Sequence, residues 1–396
     1  MSVSDRAAAI WIGAIAAGVY LAAGIGLVTD YDYFGRLAAA ALDGRWWLGE
    51  APSWLNELVS CGGGRFCVVY PPLPAVLTLP LIPFYSTTVA QVIASRVAGG
   101  ASAGVLYYAV RGYGAPRSYA LVGAILSAFG TTLFFSSVDG RAWYAAHAAA
   151  MLFLAGSFAV AARSGAPALV GALLGMSALA RLPVALAAPA LALLTARRTG
   201  TPYGAALVRV VAGGLPFALV YVGYSVLRWG TPFDVGYARL TQDDFFFQQG
   251  LFSPIYLVRQ LHAIFLEPPD FVEGTPFFLR PRFVGMSLFL TTPALLWVFL
   301  ALREVRRDVA VAATAAAALL ALLPDLFHGT VGFQQFGYRF SIDAQPFLIA
   351  LALTGDGLTR GTWRRWPTIL FILAVLLSVL VNVYATIAIT RFDYWQ

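Results

Sequence analysis

Two carboxylates stand one residue apart where the first long apolar segment of the chain ends. Asp30 and Asp32 follow a run from Ala7 to Val28 that carries no charge. Acidic side chains so close together at a membrane boundary cost solvation energy unless they form ion pairs, bind a metal or take part in a reaction. This pair is therefore the first candidate for chemistry in the sequence.

A second polar group begins with Asp139 and continues along a predicted helix over residues 142–162. Arg141, Tyr144 and His147 recur every three residues, so they share one face of that helix. The face is expected to point into a helix bundle, where a buried Arg or His is a functional candidate. The alternative is a hydrogen-bonded cluster that joins helices.

A third polar group surrounds a glycine-rich stretch over residues 329–337. Its members are His328, Gln334, Gln335, Tyr338, Arg339 and Asp343. Glycine lets the backbone approach a ligand closely, and a guanidinium group binds phosphate through two hydrogen bonds. The group therefore predicts a phosphate site, and the alternative is a solvated outer loop with one ion pair between Arg339 and Asp343.

Two further arginines have simpler explanations. Arg36 lies four residues after Asp32, which is the spacing of an ion pair across one helical turn. Arg181 lies between two short apolar segments and is followed by Leu182 and Pro183. That pattern is typical of an arginine that reaches from a helix end towards water.

The composition indicates a membrane protein. The chain of 396 residues is 60% hydrophobic and 11% charged, with a mean hydropathy of +0.75, whereas a soluble domain carries about 25% charged residues. The formal net charge is +7, and the sequence contains no lysine. In a membrane protein this balance indicates Arg-rich cytoplasmic loops rather than a nucleic-acid partner. We expect one multi-pass domain over residues 1–396 whose first segment is a retained helix and not a signal peptide.

The apolar segments predict an all-α helix bundle with about eleven spans in the lipid bilayer. The predicted spans are 7–29, 88–110, 118–137, 142–162, 167–180, 184–196, 203–228, 284–302, 309–327, 343–355 and 367–390. With the N terminus inside and the C terminus outside, every short Arg-dense loop falls on the cytoplasmic side. The segment 69–84 is bracketed by prolines and suits an interfacial helix. Residues 30–87, 229–283 and 328–342 then form outer loops.

The acids and aromatic residues concentrate in these outer loops. Examples of the aromatic clusters are Phe245–Phe247 and Phe277–Phe278. Aromatic belts at membrane interfaces explain part of this pattern. The outer face is therefore the expected working surface of the protein.

The two cysteines, Cys61 and Cys67, are separated by a glycine-rich segment over residues 62–66. A glycine-rich turn can bring such a pair close enough to bridge, and a loop outside the cytoplasm permits a disulfide. The alternative is two unpaired thiols.

Several enzyme classes lack their signatures in this chain. The sequence contains no HExxH motif, no Walker loop, no dinucleotide fingerprint and no recognisable Ser or Cys triad. These absences argue against a peptidase, an ATP-driven pump and a redox enzyme. A flippase or transporter of a lipid-linked or polar solute would place polar residues near mid-membrane, in broken helices, whereas the polar groups here collect at one face. It remains the alternative function, and a non-catalytic scaffold is a third.

Taken in chain order, these motifs resemble the GT-C glycosyltransferases, in particular their mannosyltransferase and aminoarabinose-transferase members. These multi-span enzymes take a sugar from a polyprenyl-phosphate donor at the outer face. The similar segments are Asp30 to Asp32, Gly35 to Trp46, Tyr70 to Leu73, Ser137 to Arg141, Leu179 to Pro183 and Gly337 to Phe340. They correspond to the acidic motif of the first outer loop, two interfacial helices, two outer turns and a late outer motif. The chain departs from the pattern at Tyr70, where many members have a lysine that contacts phosphate.

The resemblance implies an inverting transferase of the cell membrane that moves a monosaccharide to a hydroxyl group of an extracytoplasmic glycan, lipid or protein. Asp30 or Asp32 would act as the catalytic base, and a base that works without a metal is favoured. If a metal takes part, the pair would share Mg²⁺ or Mn²⁺. The residues implied in binding the phosphate and the sugar of the donor are Arg36, Tyr70, Asp139, Arg141, His147, His328, Tyr338 and Arg339.

Overall fold

The computed structural model describes residues 3–163, 165–273, 279–358 and 363–394, which form a mainly helical bundle. Its helices are α1 (Val3–Ala23), α2 (Tyr33–Leu42), α3 (Leu73–Thr78), α4 (Thr87–Tyr113), α5 (Arg117–Phe129), α6 (Leu133–Asp139), α7 (Ala142–Arg163), α8 (Pro167–Ala178), α9 (Ala188–Thr199), α10 (Tyr203–Trp229), α11 (Gly236–Leu240), α12 (Leu257–Phe265), α13 (Leu288–Thr291), α14 (Val298–Ala301), α15 (Val309–Leu326), α16 (Gln345–Leu358) and α17 (Ile369–Phe392). Its strands are β1 (Leu58–Gly62), β2 (Arg65–Val68), β3 (Asp270–Phe271) and β4 (Leu279–Arg280).

Six of the described helices are long and apolar enough to cross a membrane. They are α1 from Ser4 onwards, α4, α7, α10, α15 and α17, and the pair α5 and α6, bent by 46°, counts as a seventh if it is taken as one span. The side chains of α10 that face outwards are apolar, for example Leu219 at 61% exposure. Apolar surface of this extent belongs in lipid. The protein is therefore a multi-pass membrane protein.

The sequence predicts about eleven spans, but fewer described helices are long and apolar enough to cross a membrane. Segment 167–180 contains α8, which has only 12 residues. Segment 184–196 begins inside the 3₁₀ turn Leu182–Ala187, and 284–302 is divided by the 3₁₀ turn Pro293–Trp297. A proline near the start of each turn removes a backbone donor and interrupts the helix. The higher count stays a prediction.

Close packing of small residues joins α1 to α4. A Cβ placed on Gly104 would lie 2.1 Å from the carbonyl oxygen of Ala9. Only a glycine allows the two backbones to approach this closely. The contact fixes α1, and with it the segment that carries Asp30 and Asp32, against α4.

The first predicted outer loop contains a β-hairpin in addition to helices, and the sequence does not predict these strands. β1 and β2 pair in antiparallel register, and Gly62, Gly63 and Gly64 turn the chain with φ values of +89°, +62° and +71°. Glycine adopts this left-handed region without steric cost. A disulfide joins Cys61 to Cys67 across the hairpin.

The segment predicted as an interfacial helix, 69–84, contains α3 and the 3₁₀ turn Leu79–Leu81. Both are too short to cross a bilayer. Their placement at a membrane surface stays a prediction. In the loop 229–283, the aromatic pair Phe277–Phe278 lies outside the described residues.

Loop contacts sort into two ends of the bundle. At one end, Asp5 pairs with Arg111 and Arg117 at 3.2 and 3.4 Å, and Ser118 donates a hydrogen bond to the carbonyl oxygen of Arg365. At the other end, the residues on either side of the hairpin, the turn at Arg181 and the segments around α11 and the end of α15 meet around one cavity. The structure thus groups the loops that the arginine distribution assigns to the same side. Which compartment each end faces stays a prediction.

Candidate functional site

A cavity of about 340 Å³ lies where the predicted outer loops meet. Its walls come from the first loop, the turn between α8 and α9, the end of α10, the segment after α10, the end of α15 and the loop before α16. The charged or titratable lining side chains other than tyrosine are Glu57, Arg181, Asp234, Asp325, His328 and Arg339. The mixture of carboxylates and guanidinium groups makes this cavity the candidate functional site.

Arg181 lies at the centre of a buried charge network. It donates to Asp343 Oδ2 from Nε at 3.0 Å and from Nη2 at 2.8 Å, and to Asp325 Oδ1 at 3.2 Å. His147 Nδ1 lies 2.8 Å from the other Asp343 oxygen. Burial lowers the pKa of Arg181, but the two neighbouring carboxylates outweigh burial and raise it. Arg181 therefore stays charged and is fully neutralised by its partners.

This network corrects the simpler explanation of Arg181. The guanidinium does not reach from the helix end towards bulk water, because two carboxylates from distant segments hold it in the cavity wall. The predicted ion pair between Arg339 and Asp343 is also absent, since Asp343 is engaged by Arg181 and His147. The separation of 162 positions in sequence between Arg181 and Asp343 explains why no local pattern signals their pairing.

Arg339 is a buried cation of the cavity lining that has no acidic partner in the described part of the chain. Its Nη1 donates to the carbonyl oxygen of Phe333 at 3.0 Å and to Gln335 Oε1 at 3.3 Å, while its Nε has no hydrogen-bond partner there. The guanidinium also lies over the rings of Tyr144 and Phe340, 5.7 and 5.2 Å from their centroids. Burial lowers the pKa of Arg339, as expected for a desolvated cation without a counter-ion.

Glu57 supplies a carboxylate to the same cavity. Tyr70 donates its hydroxyl hydrogen bond to Glu57 Oε2, and the Glu57 amide donates to Tyr33 Oη at 3.0 Å. Burial raises the pKa of Glu57, against the opposing effects of the Tyr70 hydrogen bond and the positive charge of Arg339. Sequence reasoning counted Glu57 only as one acid of the first outer loop, because no motif surrounds it.

Asp30 and Asp32 occupy opposite environments, and neither lines the cavity. Asp30 is exposed, whereas Asp32 is fully buried at the start of α2. Asp32 Oδ1 pairs with Arg36 Nε at 2.7 Å, and its Oδ2 accepts a hydrogen bond from Thr87 Oγ1 at 2.5 Å. Asp32 and Arg36 thus form an ion pair across one helical turn, which is the simpler explanation given above for Arg36.

The residues around this pair do not fit a Mg²⁺ or Mn²⁺ site. Both oxygens of Asp32 are already occupied by protein donors, one of them cationic. Within the described ranges, no group of three or more His, Cys, Asp or Glu side chains is placed to hold a metal ion. A divalent cation takes about six oxygen ligands, and this arrangement does not offer them.

The other predicted donor-binding residues divide among three environments. Tyr70 and His328 line the cavity with Arg339. Arg141 pairs with Asp139 at 3.3 Å and donates to Gln334 Oε1 at 2.5 Å, outside the lining. The buried hydroxyl of Tyr338 donates to Gln260 Oε1 at 2.9 Å, also outside it. His147 reaches the cavity wall only through Asp343 and Arg181.

His328 differs from the expected phosphate-binding cation in its charge. Burial lowers its pKa to about 4, and its Nδ1 lies 3.0 Å from the carbonyl oxygen of Thr330. The Thr330 amide lies 3.4 Å from the same nitrogen, so both backbone polar groups of Thr330 contact Nδ1. At neutral pH the imidazole is therefore neutral and offers hydrogen bonding rather than positive charge.

No known family model and no curated protein sequence matches this chain. Among solved structures, the chain is similar to the oligosaccharyltransferase of Archaeoglobus fulgidus in its apo form, with 13% identity and a TM-score of 0.45 over 98% of this chain. It is likewise similar to the archaeal oligosaccharyltransferase AglB of the same organism in complex with an inhibitory peptide and a dolichol-phosphate, with 12% identity and a TM-score of 0.46. The chain spans 56% of the length of each of these two structures.

Proposed function

We propose that this protein is an inverting glycosyltransferase that moves a monosaccharide from a polyprenyl-phosphate donor to an extracytoplasmic hydroxyl group. The observation that carries the proposal is the position of Arg339. Its buried guanidinium lines the cavity, and none of the described carboxylates pairs with it. Glu57 lines the same space. A cation for a leaving phosphate and a carboxylate for an attacking hydroxyl group therefore share one cavity.

The charge balance of the cavity supports an anionic ligand beside Arg339. Arg181 is neutralised by Asp325 and Asp343, so it adds no net attraction. A buried cation without a counter-ion costs several kcal/mol. A phosphate group would offset this cost and would accept hydrogen bonds from Arg339 Nη2, which forms no hydrogen bond with the described residues and, unlike Nε, is not among their fully buried polar atoms. Charge on the leaving phosphate grows as the glycosidic bond breaks, so the same contact would favour the transition state.

The surroundings of the cavity suit a donor that carries a lipid chain. Tyr221 of α10 contributes to the lining, together with Leu182 and Pro183 from the turn before α9. The membrane-facing surface of α10 is apolar, with Leu215 and Leu219 exposed by 52% and 61%. A prenyl chain would lie against such a surface while its phosphate reaches the charged interior.

The chemistry supported by these residues uses protein groups in place of a metal. Arg339 would hold the phosphate, and a carboxylate would accept the proton of the acceptor, which we propose to be a glycan, lipid or protein hydroxyl group. The outer position of the cavity follows from the proposed placement of the Arg-dense loops in the cytoplasm. The sequence predicts that Asp30 or Asp32 accepts this proton. Glu57 is a carboxylate that lines the same cavity as Arg339.

Reconstituted protein tests the proposal directly. The protein in nanodiscs is incubated with polyprenyl-phosphate mannose, glucose and arabinose, using octyl glycosides and hydroxyl-containing peptides as acceptors. We expect transfer with inversion of the anomeric centre, read by NMR of the product. Arg339→Gln is expected to lower kcat/KM by about 100-fold or more, since it removes the charge that faces the leaving group. Arg339→Lys keeps the positive charge but not the two-point geometry of the guanidinium. Its kcat/KM should therefore lie between the values of wild type and Arg339→Gln.

Arg45→Gln serves as the matched control, because Arg45 lies in the same outer region and forms an exposed ion pair with Asp43. It should leave kcat/KM unchanged. Movement of the lipid-linked sugar across proteoliposomes without any transfer product would contradict the proposal and support a transporter instead. Equal activity of Arg339→Gln and wild type would remove the observation on which the proposal rests.

A further inference from the structure

We propose that Glu57 is the group that accepts the proton of the attacking hydroxyl, with Tyr70 as its positioning residue; the inference rests on the proposed glycosyl transfer. Three carboxylates line the cavity, namely Glu57, Asp234 and Asp325. A catalytic base needs an oxygen that is open to the substrate and a charge that is not already used by a protein cation. The contacts of the three carboxylates separate them by this criterion.

Asp234 is used entirely by donors from the end of α10 and from the segment that follows it. Its Oδ1 accepts from Trp229 Nε1 and from the Gly236 amide, both at 3.0 Å, and its Oδ2 accepts from Tyr221 and from Arg228 Nη2 at 3.4 Å. Four donors, one of them cationic, fix the chain where it leaves α10. Asp234 therefore has a structural role in shaping the cavity.

Asp325 is bound to a cation. Its Oδ1 accepts from Arg181 Nη2 at 3.2 Å, and the residue is only 4% exposed at the end of α15. Protonation of Asp325 during a reaction would weaken a buried ion pair that also involves Asp343. Breaking such a pair is costly, so Asp325 is a poor proton acceptor.

Glu57 meets both conditions. Tyr70 fixes Oε2, while Oε1 forms no hydrogen bond with the described residues and is not among their fully buried polar atoms without a partner. No described cation forms an ion pair with Glu57, although the charge of Arg339 acts on it. One oxygen is therefore held in place, and the other is free to meet a hydroxyl group in the cavity.

The groups around Glu57 also give it a suitable proton affinity. The titratable and charged groups that act on it are Tyr33, Tyr70, Tyr237 and Arg339. Burial raises the pKa of Glu57, and the hydrogen bond from Tyr70 and the charge of Arg339 restrain that rise. A carboxyl group whose pKa lies above its ordinary value is a stronger base at neutral pH than a solvated one.

Neither Asp30 nor Asp32 meets both conditions in this geometry. Asp32 is fully buried, and its oxygens are held by Arg36 and Thr87. Asp30 is exposed and does not line the cavity. Asp32 instead fixes the first turn of α2. Tyr33, the residue after Asp32, accepts a hydrogen bond from the Glu57 amide.

The proposed step balances in atoms and electrons. The acceptor oxygen forms a bond to the anomeric carbon while the bond between that carbon and the phosphate oxygen breaks. The electron pair of the breaking bond goes to the phosphate, whose charge faces Arg339. The proton of the acceptor goes to Glu57 Oε1. The products are the glycoside, the lipid phosphate and protonated Glu57, which returns its proton to water.

The test uses full-length protein in nanodiscs and the polyprenyl-phosphate sugar that wild type turns over. Glu57→Gln keeps the size and the Tyr70 hydrogen bond but cannot take a proton, so kcat should fall by about 100-fold or more. Donor binding, measured by quenching of tryptophan fluorescence, should stay unchanged. Glu57→Asp should recover part of the loss. Glu50→Gln, at an exposed acid of the same loop, is the matched control and should keep wild-type kcat.

A pH profile separates a base from a structural residue. Tyr70→Phe removes a hydrogen bond that lowers the pKa of Glu57, so the acid limb of kcat should move to higher pH. Wild-type kcat in Glu57→Gln, or an unmoved limb in Tyr70→Phe, would overturn the assignment while leaving glycosyl transfer intact. A wild-type protein that transfers none of the three sugars would overturn the proposed function and this inference with it.

Discussion

Arg181 and Asp343 form a two-point ion pair, with Nε and Nη2 of the arginine 3.0 and 2.8 Å from the same carboxylate oxygen. Asp343 is fully buried, and the side chain of Arg181 is 22% exposed. The pair connects the turn between α8 and α9 to the segment before α16. It therefore holds two walls of the cavity together without using the charge that a substrate would need.

Replacement of one member of this pair should destabilise the protein. Asp343→Asn removes the negative charge that faces Arg181 and leaves one acceptor oxygen where Arg181 and His147 now use two. Breaking a buried pair from one side costs about 3–5 kcal/mol. We expect a clear fall in the thermal unfolding temperature, followed by intrinsic fluorescence in detergent.

Asp43→Asn is the matched control for this measurement. Asp43 pairs with Arg45 at 2.6 Å, but both side chains are exposed, by 64% and 41%. An exposed pair contributes little to stability, so the unfolding temperature should stay at the wild-type value. Equal unfolding temperatures for the two variants would contradict the structural role given to Arg181 and Asp343.

Asp30 and Asp32 should respond differently to replacement by asparagine. Asp32→Asn leaves Arg36 opposite a neutral amide in a buried site and should lower the unfolding temperature. Asp30→Asn changes an exposed side chain and should not. Both variants should retain turnover in the folded fraction, measured per mole of protein recovered by size-exclusion chromatography. Loss of turnover in a folded variant would support the base predicted from the sequence and would count against Glu57.

Loss of the disulfide should loosen the hairpin beside Glu57. The bridge closes a loop between residues separated by six positions, for which loop-closure entropy predicts about 2 kcal/mol. Replacing Cys61 and Cys67 by serine should speed trypsin cleavage after Arg65, which is exposed in the turn. Cleavage after exposed Arg45 is the internal control. Unchanged cleavage after Arg65, followed by mass spectrometry, would show that the hairpin is rigid without the bridge.

The sidedness predicted from the arginines can be measured on intact cells. Single cysteines are introduced into a background that lacks the native pair, at Ser53 and Gln248 on one end and at Thr199 on the other, all of which are exposed. A membrane-impermeant maleimide should label the first two variants in intact cells and Thr199→Cys only after lysis. The reverse pattern would place the cavity in the cytoplasm.

Hydropathy predicted the membrane class, because lipid imposes its requirement on every spanning residue. The arginine distribution predicts which loops share a side of the membrane, and that sidedness stays a prediction. The glycine-rich stretch before Arg339 predicts a phosphate site, which stays a prediction, and Arg339 lines the cavity. In each case the signal is local or additive along the chain, which is why it is visible without coordinates.

The remaining features depend on contacts between distant segments. Arg181, Asp325 and Asp343 come from three parts of the chain, and Glu57 stands in a loop with several other acids. The spacing of Asp30 and Asp32 predicted a shared role, yet one side chain is exposed and the other begins a helix and turns inward. Strand pairing in the hairpin was missed because the short segment carries turn residues without a clear alternation of apolar side chains.

The separation of Arg181 from its partners has a consequence for biogenesis. Helices enter the membrane in the order of synthesis, and Asp325 follows Arg181 by 144 residues. At a synthesis rate of about 5–20 residues per second, roughly 7–30 s pass between the synthesis of Arg181 and that of its first counter-ion. Until then α8 and α9 carry an uncompensated charge. Chains truncated before α15 should therefore be recognised by membrane quality-control proteases, and the late helices complete the insertion of the early ones.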